Sequence, residues 1–109
     1  MTTLQELLDR ARTMIETNKE KAAETGGVYK FVLHGDGGGT FVLNLKDNPG
    51  ISETDGAAQC TVKMSMKDFV DTVEGRVDSR QLFFMGKIRV DGDMGLAIKL
   101  KKVLVGLTK

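Results

Sequence analysis

From Leu4 onward apolar residues recur at helical intervals. Leu4, Leu7, Leu8, Ala11, Met14 and Ile15 share one side, and Glu6, Asp9, Arg10, Arg12 and Glu16 share the other. This spacing predicts an amphipathic helix capped by Thr2 or Thr3 and ending before Gly26-Gly27. Its polar face mixes both signs, whereas a helix lying on a membrane favours Lys and Arg there. The helix is therefore expected to dock on the chain's own sheet. At Val28 the period drops to two. Tyr29, Phe31 and Leu33 alternate with Lys30, Val32 and His34, and after Gly35-Asp36-Gly37-Gly38-Gly39 the alternation returns as Phe41, Leu43 and Leu45 against Thr40, Val42, Asn44 and Lys46. Two such runs around an Asp-Gly turn predict a hairpin.

Asn48-Pro49-Gly50 breaks the pattern, and a very short strand is expected at Ile51 to Glu53. Cys60, Val62 and Met64 mark another strand, and Ile88 and Val90 the last. The expected sheet is apolar on one face and largely polar on the other. Two short helices separate the last two strands. Ser65 is placed to cap the first, with Asp68 in the reciprocal position, Phe69, Val70 and Val73 as its apolar stripe, and Gly75 at its end. Asp78 caps the second, which carries Leu82, Phe83, Phe84 and Met85 up to Gly86. Beyond Gly92, Asp93 caps a helix bearing Met94, Leu96, Ala97, Ile98 and Leu100. The apolar tail Val103, Leu104, Val105 and Leu107 follows, with Lys101 and Lys102 before it. Repeats, linkers and low-complexity segments are absent from the pattern, and one domain over residues 1–109 is expected.

Composition narrows the functions. Sixteen basic and 15 acidic residues leave a net charge of +1, so there is no basic surplus for nucleic acid. No apolar run reaches the length of a membrane span, and Met1 to Asp9 lacks the apolar stretch of a signal peptide. The single Cys60 excludes an intramolecular disulfide and fits a reducing compartment. Leu107-Thr108-Lys109 is not a peroxisomal Ser-Lys-Leu address, and a cytoplasmic location is expected. Six Met and no Trp suit either gap-filling in an aromatic-poor core or a pocket that adapts to varied ligands.

Catalytic chemistry finds little purchase. His34, the one histidine, falls on the polar side of its strand, whereas Cys60 is in phase with the apolar face. A nucleophile–base pair between them is not expected, nor is a metal site or any cofactor. Asp68 and Asp93 are accounted for as helix caps. The glycine cluster fails the dinucleotide pattern at Thr40 and leads into a strand, whereas a phosphate loop leads into a helix. What remains is apolar surface on short, glycine-bounded helices. A filled core and a ligand cavity open at its edge both fit that pattern.

Cys60-Thr61-Val62-Lys63-Met64-Ser65-Met66-Lys67-Asp68-Phe69 resembles the strand-then-helix signature of the sterol carrier protein 2 domain family. Phe83 to Leu100 is similar to that family's most distinctive stretch: an aromatic pair, a Gly-Lys strand, a Gly-Asp-Met turn and a Leu-Ala-x-Lys-Leu helix. Tyr29 to Phe31 and Phe41 to Lys46 fit its first two strands. The resemblance implies an α+β fold, with a five-stranded mixed sheet covered on one face by helices and a hydrophobic tunnel between them. It implies non-catalytic binding and carriage of fatty acid, fatty acyl-CoA, sterol or phospholipid. Transient membrane contact and a weak homodimer are the further partners expected. Matched to the family's apolar positions, Phe69, Val73, Phe83, Phe84, Met85, Met94, Leu96, Leu100 and Leu104 become the expected lining. The C-terminus is short beside the family's, so less complete cover of the tunnel is expected. Lys87, Lys99, Lys101 and Lys102 are placed to meet a carboxylate or phosphate at the mouth; equally, Lys99 to Lys102 are placed to complement a helix C-terminus. The alternative is an interaction module on the same fold, with a filled core and an exposed apolar C-terminal face.

Overall fold

The computed structural model describes residues 3–46, 49–99 and 102–103. Helices α1 (Leu4–Thr17) and α2 (Lys19–Thr25) come first, followed by strands β1 (Val28–His34), β2 (Gly39–Asn44), β3 (Gly50–Ser52) and β4 (Cys60–Ser65). Then come α3 (Met66–Val73), α4 (Ser79–Phe84), β5 (Arg89–Gly92) and α5 (Met94–Ile98). Residues 102–103 are again helical. The five strands form one mixed sheet in the order β3-β2-β1-β4-β5. β1 pairs antiparallel with β2 and parallel with β4, and β5 closes antiparallel on β4. This is the α+β architecture expected, with β3 and β5 at the edges.

The alternation of β1 and β4 puts Tyr29, Phe31, Leu33, Cys60, Val62 and Met64 on the face that the helices cover, all of them buried. α1 brings Leu7, Leu8, Ala11 and Ile15 to the same core. The middle of that core is aromatic. The Phe31 and Phe41 rings stack with centroids 5.0 Å apart, and Phe69 of α3 meets each at 5.9 Å, within the range of direct aromatic contact.

Three features depart from the expected pattern. The first helix is two helices, because Asn18 leaves helical geometry at φ −125°. Its backbone N–H and its side-chain amide both donate to the Met14 carbonyl, a local hydrogen bond that competes with continuation of the helix. The outer face of the sheet is less open than alternation implies: Val42 is buried, with the backbone at Gly56 beside it. Lys30, on that same outer face, ion-pairs with Asp55, so the segment after β3 folds across it. The last helix is described over Met94–Ile98 with Lys99 as its C-cap, and its expected extension to Leu100 lies outside the described residues. The hairpin turn is as expected, with Gly35 and Gly37 at φ +93° and +78° and the Gly38 N–H donating to the Gly35 carbonyl at 3.1 Å.

Candidate functional site

The nine expected lining residues divide into three groups. Phe69, Val73 and Leu96 are buried in the core. Phe83, Phe84, Met85 and Met94 are exposed. Leu100 and Leu104 lie outside the described residues.

The buried group is built from two capped helices. Ser65 Oγ accepts the Asp68 N–H at 3.0 Å and starts α3, so that Phe69 and Val73, four residues apart, share the inward face. Asp93 Oδ1 accepts the N–H groups of Gly95 and Leu96 and starts α5. Leu96 then points down onto the beginning of β1, where Gly27 holds φ +84°. A Cβ built there would lie 2.5 Å from Leu96 Cδ2. From β1, the buried Tyr29 hydroxyl donates to the Leu96 carbonyl at 2.7 Å. The Leu96 side chain and the Tyr29 hydrogen bond thus help to tie α5 to the sheet. Burial pushes the Tyr29 phenol up from its ordinary range, with Cys60 and Asp93 adding to the effect.

The exposed group follows from helix geometry. Asp78 caps α4 by accepting the Arg80 N–H at 2.9 Å, and it ion-pairs with the Arg80 guanidinium at 3.2 Å. A helix advances 100° per residue, so three apolar residues in a row cannot share the face that Leu82 turns into the core. Phe83, Phe84 and Met85 are accordingly 51 %, 87 % and 57 % exposed. In α5, Met94 and Ile98 lie one turn apart on the side opposite Leu96, and are 65 % and 82 % exposed. In the chain the two groups precede and follow the edge strand β5, which is itself mostly exposed. Lys87, Arg89, Lys99 and Lys102 are exposed around them.

The other chemistry stays apart. Cys60 pairs in register with Tyr29 and His34 with Ser65. The two side chains therefore sit five strand positions apart, about 17 Å at the usual rise per residue, and His34 is on the exposed end. Burial, reinforced by Asp93 and Asp91, raises the Cys60 thiol above its ordinary range, which suppresses the thiolate. A surface hollow of about 350 Å³ lies where α1 breaks from α2, lined by Glu16, Thr17, Asn18, Lys19 and Glu20. Its polar lining is the wrong chemistry for an apolar ligand. Among the described residues no helix is long and apolar enough to cross a membrane.

Sequence reasoning missed the Tyr29–Leu96 tie. Its only signal was a tyrosine among phenylalanines on a buried strand face, where a hydroxyl requires a partner.

Over residues 4–105 the chain matches the model of the SCP-2 sterol transfer family. It is 39% identical over 90 residues to hydroxysteroid dehydrogenase-like protein 2 of Xenopus laevis, a match covering 80% of this chain and 22% of that protein. The chain thus spans about a fifth of the length of the curated relatives it matches. Among solved structures, sterol carrier protein 2 from Yarrowia lipolytica in its apo form superposes with a TM-score of 0.81 at 21% identity, covering 95% of this chain and 91% of that one. Sterol carrier protein 2 from Aedes aegypti, in complex with the C16 fatty acid palmitate, superposes at 0.69 with 23% identity, covering 97% and 98%.

Proposed function

Because the chain belongs to the SCP-2 sterol transfer family, we propose that it acts as one lipid-carrier domain over residues 1–109. It binds an acyl or sterol-like ligand in an apolar cavity between sheet and helices and performs no catalysis of its own. The observation that supports this most directly is the flank of β5. There α4 and α5 each turn one leucine inward and leave Phe83, Phe84, Met85, Met94 and Ile98 uncovered. In this reading Phe69, Val73 and Leu96 form the inner wall. Phe83, Phe84, Met85 and Met94 form the approach, and Leu100 and Leu104 belong to the set on their match to the family pattern. Fatty acid, fatty acyl-CoA, sterol and phospholipid share the required chemistry, a large apolar body with one polar end. Lys87 and Lys102, both exposed, are the cations proposed to meet a carboxylate or phosphate head.

The energetics are sufficient. A chain of 16 carbons, the length in the Aedes aegypti complex, gains roughly 12 kcal/mol at about 0.8 kcal/mol per methylene buried. Association and ordering take back at least about 4 kcal/mol. The remainder, at most about 8 kcal/mol, sets micromolar as the tight limit of the dissociation constant, a range that allows both carriage and release. Such affinity comes from chain burial and depends little on the head group.

Displacement of a fluorescent fatty acid by unlabelled lipid tests the reading. Saturable displacement is expected, together with acyl lipid recovered by mass spectrometry from the purified protein. A protein that binds none of the four lipid classes refutes the carrier role. One observation favours a second reading: the Phe31–Phe41–Phe69 contact fills the middle of the core. An interaction module would keep that core closed and use the β5 flank for self-association. It predicts concentration-dependent dimerisation and no response to acyl chain length.

A further inference from the structure

Sulfur is divided unevenly over the fold. Met64 of β4 and Met66 of α3 are buried in the core, and Met14 of α1 is half-buried. Met85 and Met94, by contrast, are each more than half exposed. Met85 is the C-cap of α4 and Met94 the first residue of α5, so both exposed thioethers stand at helix ends, on either side of β5 in the chain. Cys60, the one thiol of the sequence, is fully buried, and burial raises it above its ordinary range. Peroxides attack an accessible thiolate before a thioether, but here the thiol near neutral pH is neither charged nor in reach. An oxidant that meets the folded chain therefore finds thioether sulfur first.

We propose that Met85 and Met94 are peroxide-modification sites, and that their oxidation lowers the chain's affinity for lipid while leaving the fold intact. The second half of this inference rests on the carrier reading, in which both residues belong to the approach to the cavity; the first half does not. The chemistry is a single oxygen transfer. A thioether lone pair attacks one oxygen of hydrogen peroxide, the O–O bond breaks and an S–O bond forms. The sulfur is oxidised to a sulfoxide, the peroxide is reduced, and its other oxygen leaves as water with both protons. A flexible apolar tip becomes a polar, chiral one. In the core that oxygen would be buried without a partner, whereas at Met85 and Met94 water satisfies it. The helix ends do not depend on either side chain. The Met85 N–H donates to the Gln81 carbonyl at 3.0 Å, and α5 is started by Asp93 Oδ1, which accepts the Gly95 and Leu96 N–H groups. The change is also reversible, since exposed sulfoxides are open to sulfoxide reductases, one for each epimer.

The test is treatment of the full chain with dilute hydrogen peroxide, followed by peptide mass mapping and by displacement of a fluorescent fatty acid. One oxygen is expected on Met85 and on Met94 before any on Met14, and none on Met64, Met66 or Cys60 until urea unfolds the chain. The melting temperature is expected to be unchanged. Apolar contact equal to one methylene corresponds to about fourfold in affinity, and at least that weakening of fatty-acid binding is expected after oxidation. Methionine sulfoxide reductases supplied with a thiol reductant are expected to restore binding, and the thiol alone is not. The double variant Met85→Leu/Met94→Leu, whatever its starting affinity, is expected to bind equally before and after peroxide. Oxidation of Met64, Met66 or Cys60 as fast as that of Met94 overturns the site assignment. Unchanged affinity in a chain oxidised at both positions, or a double variant that still loses affinity, overturns the effect on lipid binding. A chain that binds no fatty acid before peroxide is added refutes the carrier reading and that effect with it, while the mass map still decides the site assignment.

Discussion

α3 and α4 are consecutive in sequence and opposite in character. α3, eight residues long, repeats its apolar positions one turn apart, and Phe69 and Val73 both disappear into the core. α4, six residues long, sets its apolar residues side by side, and only Leu82 is buried among them. Hydrophobicity is similar in the two segments, and spacing alone decides which residues enter the core. The difference shows how the spacing of apolar residues separates a helix that builds the core from one that leaves apolar surface uncovered.

Substitutions sharpen that contrast. The largest effect is expected at Phe69, where replacement by Ala removes the ring that meets Phe31 and Phe41. A loss of about 3–5 kcal/mol in urea unfolding is expected, a large share of the ordinary 5–15 kcal/mol for a domain. Next is Gly27→Ala, which forces a side chain into a left-handed position and against Leu96. A loss of roughly 1–3 kcal/mol is expected from strain and overpacking together. Tyr29→Phe deletes the hydroxyl that holds the Leu96 carbonyl, at about 1 kcal/mol. The carbonyl also accepts the Lys99 N–H at 3.1 Å, so the loss stays small, and faster hydrogen exchange in α5 is its clearest sign. The smallest change is Phe84→Ala, expected within about 0.5 kcal/mol of the parent. A large loss there would erase the distinction between the two helices.

The same interior sets the alkaline limit. Cys60 and Tyr29 have folded-state pKa values raised above their ordinary 9.0 and 10.0. Each holds its proton in the folded chain after the unfolded chain has released it, so their contribution is complete below pH 9 and declines as pH rises through the window above it. Denaturant midpoints should therefore fall above pH 9, and should fall less steeply in Tyr29→Phe.

The sheet and its caps were legible because strands alternate and caps are local. Ser65, Asp78 and Asp93 each accept from an N–H two or three residues ahead, a relation that sequence spacing carries directly. The division of the expected lining was not legible from apolar content. Phe83, Phe84 and Met85 satisfy a family pattern equally well pointing in or out, and only the 100° step between neighbours separates them. Contacts far apart in sequence were hidden altogether. The Tyr29–Leu96 bond spans 67 positions, and the Lys30–Asp55 pair on the outer face joins β1 to the loosely patterned stretch after β3. Asn18 was read through because its neighbours are good helix formers, while its side chain bonds backward to Met14.

The central claim is that this fold takes an acyl chain out of water. A series of saturated fatty acids of increasing length, scored by the rise in melting temperature at fixed concentration, tests it most directly. The account predicts a rise that grows with each added methylene until the cavity is filled, then levels off, because stabilisation follows affinity by mass action. The same melting temperature at every length would contradict it.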